Sequence, residues 1–462
     1  MIKQYDAIVI GAGQAGGPLA KKLALAGKKT ALIEKRWIGG TCVNDGCTPT
    51  KTMVASARMA YLAGNSAALG VKIKGYSVDL KKIKKRKDDV VHLFRNGSQK
   101  GLEATKNLDV IFGEAVFTGN KTLKVNLNSG RTKEMSADLF FINTGAKTFI
   151  PKIEGLQDIG YLTSTTILDL SEVPEHLLVI GGNYIGLEFG QMFRRFGSKV
   201  TVVEKSSRIV SREDEDVSAE LDKLLKAEGM TIRTNAVTTS FKRSKKGKIA
   251  ATVRTGEQEE KIKCSHVLIA VGRTPQTEAL NLAATGVATD ERGAIKTNDK
   301  LETNVPGIYA LGDVKGGPAF THISYNDYTI VYRNLVEGTN LTIKDRPVPY
   351  CMFTDPQLGC IGLNETEAKK RGIKYTVAKL PMAYVARAIE TGDTRGFMKA
   401  IVDPDTKKIL GATILGPEGG ETMTIVQMAM AGGITYEEIK YFVFAHPLFA
   451  ESLNNLFMSL DA

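Results

Sequence analysis

Two segments of the chain repeat one pattern of apolar and polar positions. Each opens with a short run of apolar residues, which predicts a buried strand at Ala7–Ile10 and again at Leu177–Ile180. A glycine-rich turn follows each strand, and helices are predicted after it over Leu19–Ala26 and Leu187–Phe196. Continuous apolar strands that alternate with helices are typical of parallel sheets covered by helices on both faces.

The part of the chain after Tyr350 has a different pattern, in which short apolar runs are separated by Gly and Asp turns. The predicted elements are strands near 359–362, 375–378 and 397–402 and helices over 421–431 and 436–442. This order predicts a third domain of the α+β type.

Both glycine turns have the spacing of a dinucleotide-binding fingerprint. They are Gly11-Ala12-Gly13-Gln14-Ala15-Gly16 and Gly181-Gly182-Asn183-Tyr184-Ile185-Gly186. The first glycine makes the turn, the second lets the backbone approach a pyrophosphate, and the third lets the helix pack on the strand. The next predicted strands, 30–33 and 199–203, end in Glu34 and Glu204, which are placed to bind ribose hydroxyls. Two bound dinucleotides are therefore predicted.

The second copy departs from the pattern at Asn183, which stands where the middle glycine is expected. Asn tolerates positive φ better than other residues with a side chain. We expect the turn to form, with the Asn183 side chain crowding the pyrophosphate and weakening nucleotide binding.

Two cysteines, Cys42 and Cys47, lie in a glycine-flanked loop ahead of a helix predicted over Lys51–Leu62. The positive end of a helix dipole favours a thiolate at the helix N-terminus. This predicts a redox-active disulfide rather than two unreactive buried cysteines. Its place beside the first fingerprint assigns a flavin to the first copy and the nicotinamide nucleotide to the second.

Composition narrows the class of protein further. The 462 residues include five cysteines, an odd number that argues against a disulfide scaffold. The sequence predicts neither a secretory signal nor a membrane span, so we expect a cytoplasmic protein.

The net charge of +12 includes one dense basic run at 81–87. This run would attract anionic partners such as nucleic acid, or it is the solvated face of a helix whose buried side carries Val90, Val91 and Leu93. The second interpretation is favoured because the run has no interleaved aromatic residues, and no nucleic-acid partner is expected.

With these motifs in family order, the chain resembles the pyridine nucleotide–disulfide oxidoreductases over essentially its whole length. Further matching segments are 143–146, 270–275, 308–313 and 445–447 with Glu451. Within the family it is similar to the mercuric reductase-like branch, which is related to the reactive-chlorine-resistance flavoprotein. The segments that carry this similarity are 321–328, 353–357, 393–396 and 451–457.

The resemblance implies an α/β protein with two Rossmann-like dinucleotide-binding domains and a C-terminal α+β dimerisation domain. The implied bounds are 1–150 and 273–345 for a discontinuous FAD-binding domain, 151–272 for the NAD(P)-binding domain and 346–462 for the dimerisation domain. It also implies a homodimer in which the partner subunit's His446 completes the active site.

The resemblance assigns roles to individual residues. Cys47 is expected against the flavin as a thiolate, and Cys42 is expected to meet the substrate. His446 is expected to act as the acid–base, oriented by Glu451, and Lys51 and Glu188 are expected beside the flavin. The residues expected to bind FAD are Gly11, Gly13, Gly16, Glu34, Gly40, Thr41, Lys51, Thr144, Gly145, Gly312 and Asp313. Those expected to bind the nicotinamide nucleotide are Gly181, Asn183, Gly186, Glu204 and Gly272.

For the electron donor, Glu204 favours NADH over NADPH because it would repel a 2′-phosphate. Lys205 and Arg208 follow closely and offset part of that repulsion, so NADH with some use of NADPH is expected. Arg273 either faces the nicotinamide nucleotide or lies on the surface.

The implied activity is an FAD-dependent transfer of electrons from NAD(P)H to the Cys42–Cys47 disulfide. The acceptor would be a soft metal ion, such as Hg(II) or Cu(II), or a small oxidant. Both cysteines would be transient ligands of such a substrate, and no structural metal site is expected. Cys351 and Cys360 are interpreted as buried strand residues rather than soft-metal ligands.

Two departures bear on the alternatives. The chain lacks the C-terminal cysteine pair of mercuric reductases, and Phe444 replaces the first histidine of the His-Ala-His-Pro motif of lipoamide dehydrogenases. Dihydrolipoyl dehydrogenase or another disulfide reductase remains one alternative. A flavin-binding interaction protein without enzymatic activity is the other.

Overall fold

The computed structural model describes residues 2–245 and 247–461. The α-helices in this part of the chain are α1 (Gly16–Leu25), α2 (Gly40–Asn44), α3 (Cys47–Asn65), α4 (Leu80–Glu103), α5 (Tyr184–Phe196), α6 (Glu215–Ala227), α7 (Thr321–Val336), α8 (Glu365–Lys370), α9 (Ala386–Glu390), α10 (Gly419–Gly432), α11 (Tyr436–Lys440) and α12 (Ser452–Met458).

The strands of the first half of the chain are β1 (Lys3–Ile10), β2 (Thr30–Glu34), β3 (Leu108–Gly119), β4 (Thr122–Leu127), β5 (Thr132–Ile142), β6 (Ala146–Thr148), β7 (His176–Ile180), β8 (Lys199–Val203) and β9 (Thr231–Arg233). Those that follow are β10 (Ala236–Arg243), β11 (Ile249–Thr255), β12 (Gln258–Cys264), β13 (His266–Ile269), β14 (Arg273–Pro275), β15 (Ile308–Ala310), β16 (Tyr350–Met352), β17 (Gln357–Gly362), β18 (Thr376–Pro381), β19 (Phe397–Val402) and β20 (Ile409–Gly416).

The chain divides into two compact units, each made of separate segments. The first unit runs through residue 52 and also contains 84–149 and 272–346, and the second contains 53–83, 150–271 and the chain from 347 onward. The three sets of domain bounds expected from the family resemblance stay predictions.

The first unit is built on a sheet with β1 between two parallel neighbours, β2 and β5. Parallel pairs extend it from β2 to β3 and from β5 to β15, while β4 joins β3 and β5 by antiparallel pairing. Ala7, Ile8, Val9 and Ile10 are all buried, because both faces of this strand are covered. Its carboxyl end leads directly into the first glycine turn.

The second unit contains a parallel sheet with the order β13-β7-β8-β9 and an antiparallel sheet with the order β10-β11-β12. A five-stranded antiparallel sheet, β16-β17-β20-β19-β18, forms after residue 347. The repeated parallel sheets and the separate antiparallel sheet confirm the predicted α/β class with an α+β part at the C-terminal end.

Two local predictions are wrong. The helix predicted over 51–62 is longer than expected at both ends, since α3 extends from Cys47 to Asn65. On α4, Leu93 was expected on the buried side but is 72% exposed, whereas Lys87 of the basic run is buried. Other lysines of the run form ion pairs one turn along α4, Lys84 with Asp88 and Lys85 with Asp89, as on a solvated helix face.

Among the described residues, no helix combines the length and the apolar character that a membrane span requires.

Candidate active site

The two cysteines occupy adjacent helices rather than a loop, which corrects the prediction for this segment. Cys42 lies in the short helix α2, whose N-cap is Gly39 in the left-handed conformation with φ 98°. Cys47 is the first residue of α3, which is 19 residues long. Asp45 and Gly46 separate the two helices, and a Cβ at Gly46 would lie 2.9 Å from the carbonyl oxygen of Thr41. The close turn brings the cysteines together.

The thiol groups of Cys42 and Cys47 are both reduced and interact with each other. A hydrogen bond with Cys47, together with burial, raises the pKa of the Cys42 thiol well above its usual range. The sulfur of Cys47 is exposed and lies 3.4 Å from the hydroxyl of Thr321. The positive end of the α3 dipole would favour a thiolate at Cys47, and this role of Cys47 stays a prediction.

The first glycine motif forms a surface that fits a pyrophosphate. A Cβ at Gly16 would collide with the carbonyl oxygen of Gly11, so the start of α1 packs directly on the turn. The first turn of α1 carries no acidic residue, which leaves the positive end of its dipole available to an anion. Gly40 of the redox segment also packs here, since its Cβ would lie 2.7 Å from the Cα of Gly13. Thr41 is the next residue of α2.

Glu34 lies at the end of β2, as the fingerprint predicts. Its carboxylate accepts from the backbone N–H of Ala12 at 2.9 Å and from that of Arg36 at 2.8 Å. These bonds fix the carboxylate beside the glycine turn.

Asn143 joins three segments of the first unit, and its role was missed from the sequence. Its Oδ1 accepts from the backbone N–H of Gly16 at 2.8 Å, and its Nδ2 donates to the carbonyl of Leu311 at 2.9 Å. The side chain is buried and directly faces Gly13, where a Cβ would lie 3.0 Å from its Oδ1. A side chain at position 13 would therefore crowd the Asn143 amide as well as the pyrophosphate site.

Thr144, Gly145, Gly312 and Asp313, which are also expected to bind FAD, lie in the first unit. Thr144 donates from its hydroxyl to the carbonyl of Gln276 at 2.7 Å, and the carbonyl of Gly145 accepts from the backbone N–H of the same Gln276 at 2.9 Å. The backbone N–H of Gly312 donates to the fully buried carboxylate of Asp327 at 2.8 Å. This anchors the turn that carries the next residue, Asp313.

Burial raises the pKa of the Asp313 carboxyl, while the neighbouring Arg273 opposes that shift. The Nε of Arg273 lies 3.8 Å from Asp313, and 18% of the Arg273 side chain is exposed. Arg273 is thus not a surface residue, and its expected place facing the nicotinamide nucleotide stays a prediction. Gly272, just before it, accepts from the backbone N–H of Phe149 at 3.0 Å.

The second glycine motif repeats the geometry of the first. The backbone N–H of Gly181 donates to the carbonyl of Val203, and a Cβ at Gly186 would collide with the carbonyl oxygen of Gly181. Glu204 accepts from the backbone N–H groups of Gly182 and Ser206, both at 2.7 Å. The Glu204 carboxylate is thus bonded to its glycine turn in the same way as Glu34 is in the first unit.

Asn183 has φ −108° and ψ −179°, an extended conformation that any residue adopts. The expectation of positive φ was therefore wrong. Its Oδ1 accepts from the backbone N–H of Tyr184 at 2.9 Å, so Asn183 is the N-cap of α5. In this copy Ala270 lies against the first glycine, where Asn143 lies in the first copy. Ala270 has no side-chain amide that could bond the start of α5 as Asn143 bonds Gly16 in the first copy.

The acid–base pair predicted near the C-terminal end is present in the second unit. Nδ1 of His446 lies 2.9 Å from one carboxylate oxygen of Glu451 and 3.0 Å from the other. The His446 side chain is 68% exposed, so its other ring nitrogen is open to a reaction partner. Glu188 is buried and accepts from the backbone N–H of Phe353 at 2.8 Å. Lys51 is the fifth residue of α3 and lies in the first unit. Its pairing with Glu188 stays a prediction.

The second unit contains two further groups of residues that could be considered as metal ligands. Asp214, Asp216 and Glu365 are close enough together to hold a metal ion, but the buried ammonium of Lys399 lies within 3.1 Å of each of them. Cys360 is buried opposite Tyr350, whereas Cys351 pairs with Gly359 and is only half-buried, so the expected burial holds for Cys360 alone. Neighbouring strand positions point to opposite faces of a sheet, so the two cysteines do not converge on one ligand.

Each of two sheets leads into a glycine turn that fits a dinucleotide, and the cysteine pair lies beside the first of these turns. This arrangement defines a class of reductases that bind two dinucleotides and carry a redox-active dithiol. Sequence comparison agrees: residues 5–327 match the family described as pyridine nucleotide-disulphide oxidoreductase, and residues 348–457 match the dimerisation domain of that family. The chain belongs to the pyridine nucleotide-disulphide oxidoreductases, whose members bind FAD and a pyridine nucleotide.

Individual relatives show the same class. The chain is 39% identical to the probable pyridine nucleotide-disulfide oxidoreductase RclA of Escherichia coli strain K12, over 99% of each protein. It is 34% identical to the mercuric reductase of Lysinibacillus sphaericus, over 99% of this chain and 83% of that protein. Among solved structures, the Cu(II) complex of the HOCl-induced flavoprotein disulfide reductase RclA from Escherichia coli matches with a TM-score of 0.90, 39% identity and 99% coverage of both chains.

Proposed function

We propose that the protein carries two electrons from NAD(P)H through FAD to the Cys42–Cys47 pair and on to a small acceptor, a soft metal ion such as Hg(II) or Cu(II) or a small oxidant. The observation that carries the proposal is the contact between the two thiols at the start of α3. Bound FAD would supply the hydride chemistry that links the nicotinamide nucleotide to the disulfide. Residues 1–150 and 273–345 would bind FAD, 151–272 the nucleotide, and 346–462 the partner subunit.

The chain's own residues divide the work at the dithiol. Cys47 would hold the negative charge, because it begins a long helix and its sulfur interacts with the neighbouring Cys42 thiol. Cys42, which keeps its proton, is the thiol that meets the acceptor. A divalent soft metal ion would displace that proton and bind both sulfurs, since thiolates are the ligands that such ions prefer.

His446 would handle protons when the acceptor is a disulfide. Glu451 holds Nδ1 of the ring and leaves Nε2 to exchange a proton with Cys42. We propose that the histidine reaches the pair in a homodimer, so that the partner subunit's His446 serves each dithiol. The match of 348–457 to the family's dimerisation domain supports this arrangement.

NADH is proposed as the preferred donor. The carboxylate of Glu204 is fixed at the carboxyl end of β8 by two backbone N–H groups, at the position where the fingerprint places the ribose. A fixed negative charge there would repel a 2′-phosphate.

The function can be tested by steady-state NADH oxidation with Hg(II), Cu(II), lipoamide, glutathione disulfide and hypochlorite as acceptors. Wild-type protein should turn over at least one soft metal ion or small oxidant faster than lipoamide. In His446→Ala, disulfide turnover should fall by about 10²–10⁴-fold, because proton transfer is lost. Metal reduction should fall much less, since a metal ion needs no protonated leaving thiol.

The matched control is His92→Ala, which removes an exposed histidine on α4. It should leave every acceptor unaffected. Equal collapse of metal and disulfide turnover in His446→Ala would overturn the proposed division between the two acceptor types.

A further inference from the structure

Trp37 lies between two arginines immediately before the redox segment. The guanidinium carbon of Arg36 is 3.8 Å from the ring centroid of Trp37, and that of Arg95 is 4.1 Å from it. Trp37 is the only tryptophan of the chain. The faces of an indole attract cations, and guanidinium groups stack on them while keeping their N–H groups free to donate.

Each of these arginines also holds a residue between the two cysteines. Arg36 donates to the Asp45 carboxylate through both terminal nitrogens, at 3.0 and 3.4 Å. Nε of Arg95 donates to Oδ1 of Asn44 at 2.7 Å. The amide of Asn44 in turn donates to the carbonyls of Ile38 at 3.0 Å and Gly40 at 2.9 Å.

The charges of this cluster partly offset one another. Burial lowers the pKa of Arg95, and Asp45 opposes that shift while Arg36 adds to it. The Asp45 carboxylate, 18% exposed, therefore offsets the proximity of two cations. Arg95 belongs to α4, so the cluster ties a separate helix to the segment that joins α2 and α3.

We propose that Arg36, Trp37 and Arg95 are positioning residues that clamp Asn44 and Asp45 and so keep the reduced Cys42 and Cys47 within bonding reach of each other. The inference rests on the proposed redox role of this pair. Closing the disulfide removes two electrons and two protons from the thiols and forms one S–S bond. Glutathione disulfide accepts the two electrons and two protons, and its S–S bond breaks to give two glutathione thiols. Holding the sulfurs close favours the closed form.

The test is the thiol–disulfide equilibrium of the FAD-loaded enzyme in glutathione buffers without nicotinamide nucleotide. Free thiols are alkylated, and the peptide that carries Cys42 and Cys47 is quantified by mass spectrometry. The variants are Arg36→Gln, Asp45→Asn and Arg95→Gln. The matched control is Arg333→Gln, which removes a surface arginine paired at 2.9 Å with Glu337 on another helix of the same unit.

The equilibrium constant for closing the disulfide should fall by about 3- to 10-fold in each clamp variant and stay unchanged in Arg333→Gln. A tenfold fall corresponds to a rise of about 30 mV in reduction potential. Acrylamide quenching of Trp37 fluorescence should increase in Arg95→Gln, because one face of the indole is uncovered. Arg36→Lys keeps the charge but loses one of the two hydrogen bonds to Asp45, so its equilibrium constant for closing the disulfide should lie between those of the wild type and Arg36→Gln. If Arg36→Gln does not fold, Arg36→Lys and Asp45→Asn test the contact instead.

Two results distinguish a failure of the proposed function from a failure of the clamp alone. If the wild-type protein forms no Cys42–Cys47 disulfide at any glutathione ratio, the proposed function fails and the clamp with it. If the wild type forms the disulfide and the clamp variants close it equally well, only the clamp is overturned. A shift of the same size in Arg333→Gln, or unchanged quenching in Arg95→Gln, would also overturn the clamp.

Discussion

At the scale of single residues, Glu204 determines the choice of electron donor in this account. Its carboxylate accepts two backbone N–H bonds of 2.7 Å, so it cannot swing away from a bound ribose without breaking both. In Glu204→Ala the ratio of kcat/KM for NADPH to that for NADH should rise by roughly tenfold or more, because a fixed repulsive charge is removed.

The comparison needs a glutamate of the same unit that is remote from the turn. Glu175 is exposed and lies 3.8 Å from Lys248, and Glu175→Ala should leave the ratio as in the wild type. An unchanged ratio in Glu204→Ala would assign donor choice to Lys205, Arg208 or other contacts.

Single residues also show where sequence patterns stop being informative. The glycines, the acids and the two cysteines could be identified because their spacing along the chain reflects local backbone needs. Asn143 and the Trp37 clamp could not, since each depends on partners far apart in sequence: Asn143 bonds Leu311, 168 residues away, and Arg95 bonds Asn44 from 51 residues away. Only the folded sheet brings those partners together.

At the scale of elements, α5 depends on Asn183 as its N-cap. Asn183→Ala should lower the free energy of unfolding by about 1 kcal/mol, because one helix N–H loses its acceptor. Asn183→Asp should keep the cap and the stability. It should nevertheless raise the KM for NADH by roughly tenfold, since it puts a negative charge where a pyrophosphate approaches a helix N-terminus.

Thermal unfolding and steady-state kinetics separate these two effects. If Asn183→Asp binds NADH as well as the wild type does, the nucleotide does not approach the start of α5. The first turn of α5 has no acidic residue of its own, so this variant changes the sign of the local charge and little else.

The elements themselves were largely predictable from the pattern of apolar residues. Strand β8 (Lys199–Val203) and strand β19 (Phe397–Val402) match their predicted bounds. Apolar runs that end at turn residues define such strands well. The short helix α2 was predicted as a loop, because a segment of five residues is too short to show helical periodicity.

At the scale of the whole molecule, the account requires two chains for one active site. Cys42→Ser and His446→Ala chains, each with a different affinity tag, can be co-expressed and the mixed dimer isolated. If the partner subunit's His446 serves each dithiol, the mixed dimer keeps one complete site and should have about half of the wild-type activity with a disulfide acceptor. Both parent dimers should be inactive with that acceptor.

The matched control is the mixed dimer of wild-type and doubly substituted chains. In it neither site pairs an intact dithiol with an intact histidine of the other subunit, so it should be inactive. Activity in this control, and none in the first mixture, would place the histidine and the dithiol of one site on the same chain.

In the proposed function, Cys47 carries the thiolate beside the flavin while Cys42 faces the acceptor. The most direct measurement is the visible absorbance spectrum of the oxidised, FAD-loaded Cys42→Ser and Cys47→Ser proteins without reductant. Cys42→Ser should show a long-wavelength absorbance band, because Cys47 can no longer pair and its thiolate lies against oxidised flavin; Cys47→Ser should show none. The band in Cys47→Ser and its absence in Cys42→Ser would contradict the account by reversing the two thiols.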